Sequence, residues 1–157
     1  MAYFLLFLKS NFLRFPTLNW KNNFFYVLLH CFYPQTLNLL TTQPLTELII
    51  QGIQERKGRK IVHIDLAQIE SSPAPDFFIC EGTSQTHVGA VADAVRDYLI
   101  EHGNIKPYNY DGYQNAQWIV LDYGSALVHI FAPLERERYN LEELWSDGKI
   151  TEIPDLD

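Results

Sequence analysis

From residue 45 onward, hydrophobic and polar positions alternate with clear periods. Leu45, Leu48, Ile49 and Ile53 recur at the spacing of one helical face, with Pro44 at the start and Gly58 as a stop, and predict a first helix. Lys60–Leu66 is rich in β-branched residues and predicts a strand, and Ser71–Pro75 predicts a loop. Phe77–Cys80 reads as a short buried strand, closed by Glu81-Gly82. The clearest helix comes next. Thr83 or Ser84 offers a hydroxyl to its unpaired first-turn amides, Val88, Val91, Ala92, Val95 and Leu99 form its apolar stripe, and Gly103 ends it. A weaker strand follows through Ile105–Tyr110. Gln117–Tyr123 and Ala126–Phe131 predict two more strands, joined at Gly124-Ser125 as an antiparallel hairpin. Asn140-Leu141-Glu142-Glu143 has the form of a capping box and opens a short helix through Trp145. The acidic tail, residues 151–157, reads as loose.

Helices interspersed with strands in this order predict one mixed β-sheet flanked by helices, a single compact α/β (α+β) domain over residues 45–150. No internal repeat and no linker interrupts it. A chain of 157 residues suits one domain with a proper core.

Composition sets the first 44 residues apart. They hold three bases, Lys9, Arg14 and Lys21, no acid, and half of the aromatic residues. Their apolar runs are far shorter than the roughly 18–20 residues that span a bilayer, and Lys9 follows the first run where a signal peptide would place its charge before it. An interfacial anchor or an acid-free presequence fits in part. The plainer expectation is a disordered extension, or upstream sequence read through from a start assigned too early. The remaining stretch carries nine bases against nineteen acids, a net of −10. Such a charge opposes a protein that wraps nucleic acid and favours a basic protein partner.

The candidate chemistry is sparse. His30, His63, His87, His102 and His129 are dispersed, with no metal-binding spacing, so no metal or other cofactor is expected. Cys31 and Cys80 form no disulfide framework, and Cys80, inside an apolar strand, reads as core. Gly82-Thr83-Ser84 lies between a strand and a helix, where free amides can receive a phosphate, but it lacks a P-loop lysine. Asp122 stands alone, with Val120 two residues before it and Gly124 two after; Asp65 is also unpaired, whereas a two-metal nucleotidyl-transfer site needs paired acids. What remains is a surface. Trp118, Val120 and Asp122 share one strand face, with Ile119, Leu121 and Tyr123 on the other. A tryptophan beside a charge is a frequent interface hot spot, and Arg136, Tyr139 and Trp145 either complete such a patch or tie down the last helix.

These segments also carry a resemblance. Gly82-Thr83-Ser84 before the valine-striped helix, Trp118–Gly124, Val128-His129-Ile130-Phe131, and Arg136–Trp145 stand in the order and spacing of the ribosomal silencing factor family (RsfS, also called Iojap or DUF143). The resemblance covers about residues 45–157. It implies a nucleotidyltransferase-like fold without the catalytic acids, and a non-enzymatic, cytoplasmic protein. It further implies binding to the large ribosomal subunit through the basic ribosomal protein fourteen (L14), with little direct contact to ribosomal RNA and no membrane. Small and large subunits are thereby kept apart and translation is repressed under nutrient limitation. Carried over, the contact residues are Trp118, Val120, Asp122 and Tyr123, with His129, Arg136 and Tyr139 nearby. A homodimer through the same face would compete with the ribosome. The alternative is a nucleotide-binding or nucleotidyl-transferring enzyme using Gly82–Ser84 and Asp122. The chain departs from the family pattern at Pro75-Asp76, Ser125 and Arg138.

Overall fold

The computed structural model describes residues 44–156; the readings made for the first 43 residues lie outside it. The elements are α1 (Leu45–Glu55), β1 (Arg59–Asp65), β2 (Asp76–Glu81), α2 (Gln85–Gly103), β3 (Asn109–Asp111), β4 (Trp118–Asp122), β5 (Ala126–Phe131), α3 (Pro133–Tyr139), α4 (Leu141–Leu144) and β6 (Lys149–Ile153). Six strands form one sheet in the order β3-β4-β5-β2-β1-β6. Only β2 and β5 run parallel, since the chain crosses over through α2 to β3 and folds back through β4 to β5; the other pairs are antiparallel.

The continuous apolar run of β2 follows from its central place. Phe78 and Cys80 face one layer, Phe77 and Ile79 the other, and all four are buried. On the first layer the stripes of α1 and α2 close over Ile61, Phe78, Ile119, Leu121, Val128 and Ile130. The two helices touch at Gly52, where a Cβ would come within 2.9 Å of Val95 Cα. The second layer is thinner. Val62, Ile64, Phe77, Ile79 and Phe131 are covered by the loop after β1, by Leu141 and by Trp145, and β4 is left partly open on this side. Burial desolvates the Cys80 thiol and pushes its pKa up to about 12, which makes it an inert core group.

The predicted hairpin forms as expected. Gly124 takes φ +79° at its tip, and the Asp122 carboxylate accepts the Gly124 N–H at 2.7 Å. Three readings are corrected, and one helix appears that none anticipated. The strand expected over Ile105–Tyr110 shrinks to Asn109–Asp111, because the Ile105 N–H closes the C-terminus of α2 on the Leu99 carbonyl and Pro107 has no N–H to give a ladder. The charge-rich segment Pro133–Tyr139 is a helix that no apolar stripe announced, since it buries no residue; Pro133 supplies a preset first turn. Asn140 makes no side-chain cap. It sits at φ +39° between α3 and α4, and its amide meets the Glu143 carboxylate instead of a backbone group. The tail expected to be loose contributes Thr151–Ile153 to β6, which pairs along β1.

Candidate functional site

Alternation along β4 sends Ile119 and Leu121 into the helix-covered core and Trp118, Val120 and Asp122 to the opposite face, each half-buried. Cross-strand register sets Trp118 opposite Phe131 and Val120 opposite His129. The indole lies over Phe131, with ring centroids 4.8 Å apart, and the Tyr139 ring from α3 leans on it at 4.7 Å, tilted by 44°. Beneath, Trp118 Nε1–H donates to His129 Nδ1 at 3.3 Å. That bond requires the neutral imidazole with its proton on Nε2. Burial enforces the same state: His129 is 5% exposed, and desolvation pulls its pKa down to about 4. Phe77 packs against His129 and meets Trp145 edge-on, so an aromatic row runs from Trp145 across the sheet to Tyr139.

Tyr139 is 46% exposed, and its perch depends on ion pairs below it. Arg136, one turn earlier on α3, donates through Nε and Nη2 to Glu142 at 2.9 and 2.7 Å, and its Nη1 lies 3.7 Å from Glu81. Glu81 in turn holds Lys60 at 2.9 Å. The guanidinium, forked onto Glu142 and within charge contact of Glu81, ties α3 and α4 to the sheet.

The seven residues expected at the contact therefore separate. Trp118, Val120, Asp122 and Tyr139 share one exposed face. His129 and Arg136 lie under it as supports. Tyr123 is a correction: it continues the Ile119–Leu121 side into the α1–α2 core, 4% exposed, with its hydroxyl pKa raised by burial. Strand parity had already separated it from Trp118. Leu127, half-buried and paired with Asp122, belongs to the open face and escaped notice because it lies in a wholly apolar strand. Leu134 and Leu144 on α3 and α4 are also widely exposed apolar residues.

The other candidate chemistry is occupied by structure. Ser84 caps α2 by accepting the His87 N–H at 3.2 Å, and His87 Nδ1 accepts the Thr83 N–H at 3.0 Å, so the Gly82–Ser84 turn spends these donors and acceptors on itself. Among the described residues no three His, Cys, Asp or Glu side chains converge as a metal site, and no helix is long and apolar enough to cross a membrane.

The model of the family described as "Ribosomal silencing factor during starvation" matches residues 40–157. The chain belongs to the ribosomal silencing factor family. It is 33% identical to the ribosomal silencing factor RsfS of Halalkalibacterium halodurans over 73% of this chain and 96% of that one. A Mus musculus protein named for mitochondrial assembly of the ribosomal large subunit is 28% identical over 64% of this chain and 44% of its own length. A crystal structure of a Chromobacterium violaceum protein superposes with a TM-score of 0.61 at 27% identity, covering 65% of this chain and 83% of that one. As a silencing factor the chain is associated with ribosomes and the regulation of translation, a regulatory rather than a catalytic assignment. The family motifs around Trp118 and Arg136–Trp145 make up the aromatic face and its supports.

Proposed function

We propose that this silencing factor docks the Trp118–Tyr139 face on the basic ribosomal protein fourteen of the large subunit and so blocks joining of the small subunit. Its action is steric, requires no cofactor, and represses translation in the cytoplasm when nutrients are short. Residues 45–150 carry the activity, with residues 1–44 a separate extension. The observation behind this reading is the aromatic pair of half-buried Trp118 and exposed Tyr139. Trp118 and Tyr139 pack together on an otherwise open stretch of sheet, beside Val120, Leu127 and the acidic Asp122, which is the make-up of an interface hot spot for a basic partner. The net charge of −10 over residues 45–157 adds long-range steering toward such a partner.

The test is equilibrium binding of the full chain to isolated large subunits. Trp118→Ala should weaken binding by about 2 kcal/mol, roughly a thirty-fold rise in Kd. A folded W118A protein that binds as tightly as its parent would remove this face from the account.

A further inference from the structure

Four of the nine bases in residues 45–157 crowd into five positions, Arg56, Lys57, Arg59 and Lys60, in the turn between α1 and β1. All four are exposed, in a region whose overall charge is strongly negative. We propose that this turn is a second contact, which grips the phosphate backbone of ribosomal RNA beside the protein-docking face; the inference rests on the large-subunit reading above.

The turn is built rigidly. Lys57 and Lys60 sit at φ +53° and +47°, a left-handed backbone that bends the chain sharply around buried Gly58. Four bonds pin it. The Gly58 N–H reaches back to the Ile53 carbonyl at 3.0 Å, and His87 Nε2–H donates to the Arg56 carbonyl at 2.6 Å. The Lys60 N–H meets Asp155 Oδ1 at 2.8 Å, and Lys60 Nζ is paired with Glu81. These bonds occupy the backbone and one lysine. Among the described residues Arg56, Lys57 and Arg59 make no ion pair, so three cations are free for a partner on a backbone that is already ordered. Glu55 lines the grooves of both Arg56 and Lys57, and Asp97 and Glu101 further screen Arg56, which leaves Arg56 the weakest of the three.

Position supplies the second argument. Register places Arg59 opposite Glu81, Glu81 opposite Phe131, and Phe131 opposite Trp118. Arg59 and the tryptophan therefore end the same row of the sheet, three strand spacings or about 14 Å apart, while Arg56 and Lys57 line grooves with α1 and α2 residues around the sheet edge. A partner as large as the ribosomal subunit, seated on Trp118, meets Arg59 at the rim of that face and reaches Arg56 and Lys57 where it passes the sheet edge. Ribosomal proteins are typically basic and would be repelled there; the polyanion of the large subunit is its RNA. Phosphate contacts of this kind carry no sequence preference and set orientation.

The experiment measures Kd of the full chain for isolated large subunits against potassium chloride concentration. The parent, the Arg56→Gln/Lys57→Gln/Arg59→Gln variant and Trp118→Ala are compared. The triple variant should bind more weakly at low salt, with its log–log slope shallower by about 2, as for the loss of two to three phosphate contacts. Trp118→Ala should weaken binding with the slope unchanged. A photo-crosslinking phenylalanine analogue in place of Lys57 should attach to RNA. An unchanged slope in the triple variant, or crosslinks from position 57 only to protein, overturns the inference while leaving the docking face intact. Failure of the parent chain itself to bind large subunits overturns both.

Discussion

His129 shows how one buried side chain sets the state of the surface above it. Its neutral ring accepts from Trp118 and fixes the indole orientation, and that neutrality has a pH signature. The native pKa of about 4 lies below the ordinary 6.5, so the unfolded chain binds the extra proton first as pH falls. Stability from this group is complete above pH 6.5 and is lost as pH drops toward 4, by about 3 kcal/mol in all. Urea denaturation across that range should show the loss in the parent and a flatter profile in His129→Gln; equal profiles would mean that the imidazole is not held neutral. At this scale, Trp118 was legible in the sequence because alternation along an isolated strand names a face. Tyr123 was misplaced because the family motif runs through both faces without marking which is which. His129 reads as a contact from the motif alone, and only its burial under the indole shows it to be a support.

Among the elements, α3 and α4 decide whether Tyr139 can meet Trp118. Neither has a buried stripe of any length, so their position depends on Arg136 bridging Glu142 and approaching Glu81. Arg136→Ala leaves two partly buried carboxylates without that partner and should cost about 3 kcal/mol of folding stability. It should also weaken large-subunit binding although the guanidinium is only 11% exposed. Arg136→Lys, with a single ammonium in place of the planar fork, should recover part of the stability and less of the binding. Denaturant midpoints and Kd for the two variants check this; parental values for both would show that α3 is held by other contacts. Elements with a dominant apolar period, α1, α2, β2 and the β4–β5 hairpin, were legible within a residue or two. β6 and α3 were not, because an exposed edge strand and a surface helix without a buried stripe owe their form to neighbours and ion pairs rather than to their own hydrophobic pattern.

For the whole molecule, charge and shape divide the work. A net of −10 over residues 45–157 favours a basic protein surface, the uncovered sheet face supplies the apolar contact, and one cationic turn faces the RNA proposed beside it. The groups that the sequence offered for chemistry are used in structure: Asp122 closes a hairpin, Ser84 and His87 close a helix, and Cys80 is core. Fold and family were legible in the sequence because long-range order of motifs survives where single residues vary. The support beneath the face was not, since cross-strand stacking depends on register that no local pattern records. The most direct test is sucrose-gradient sedimentation of purified small and large subunits in associating magnesium, with and without the full chain. The account predicts that the protein travels with the large subunit and the joined-ribosome peak falls, and that Trp118→Ala restores that peak. Protein left at the top of the gradient with the joined peak unchanged would contradict it.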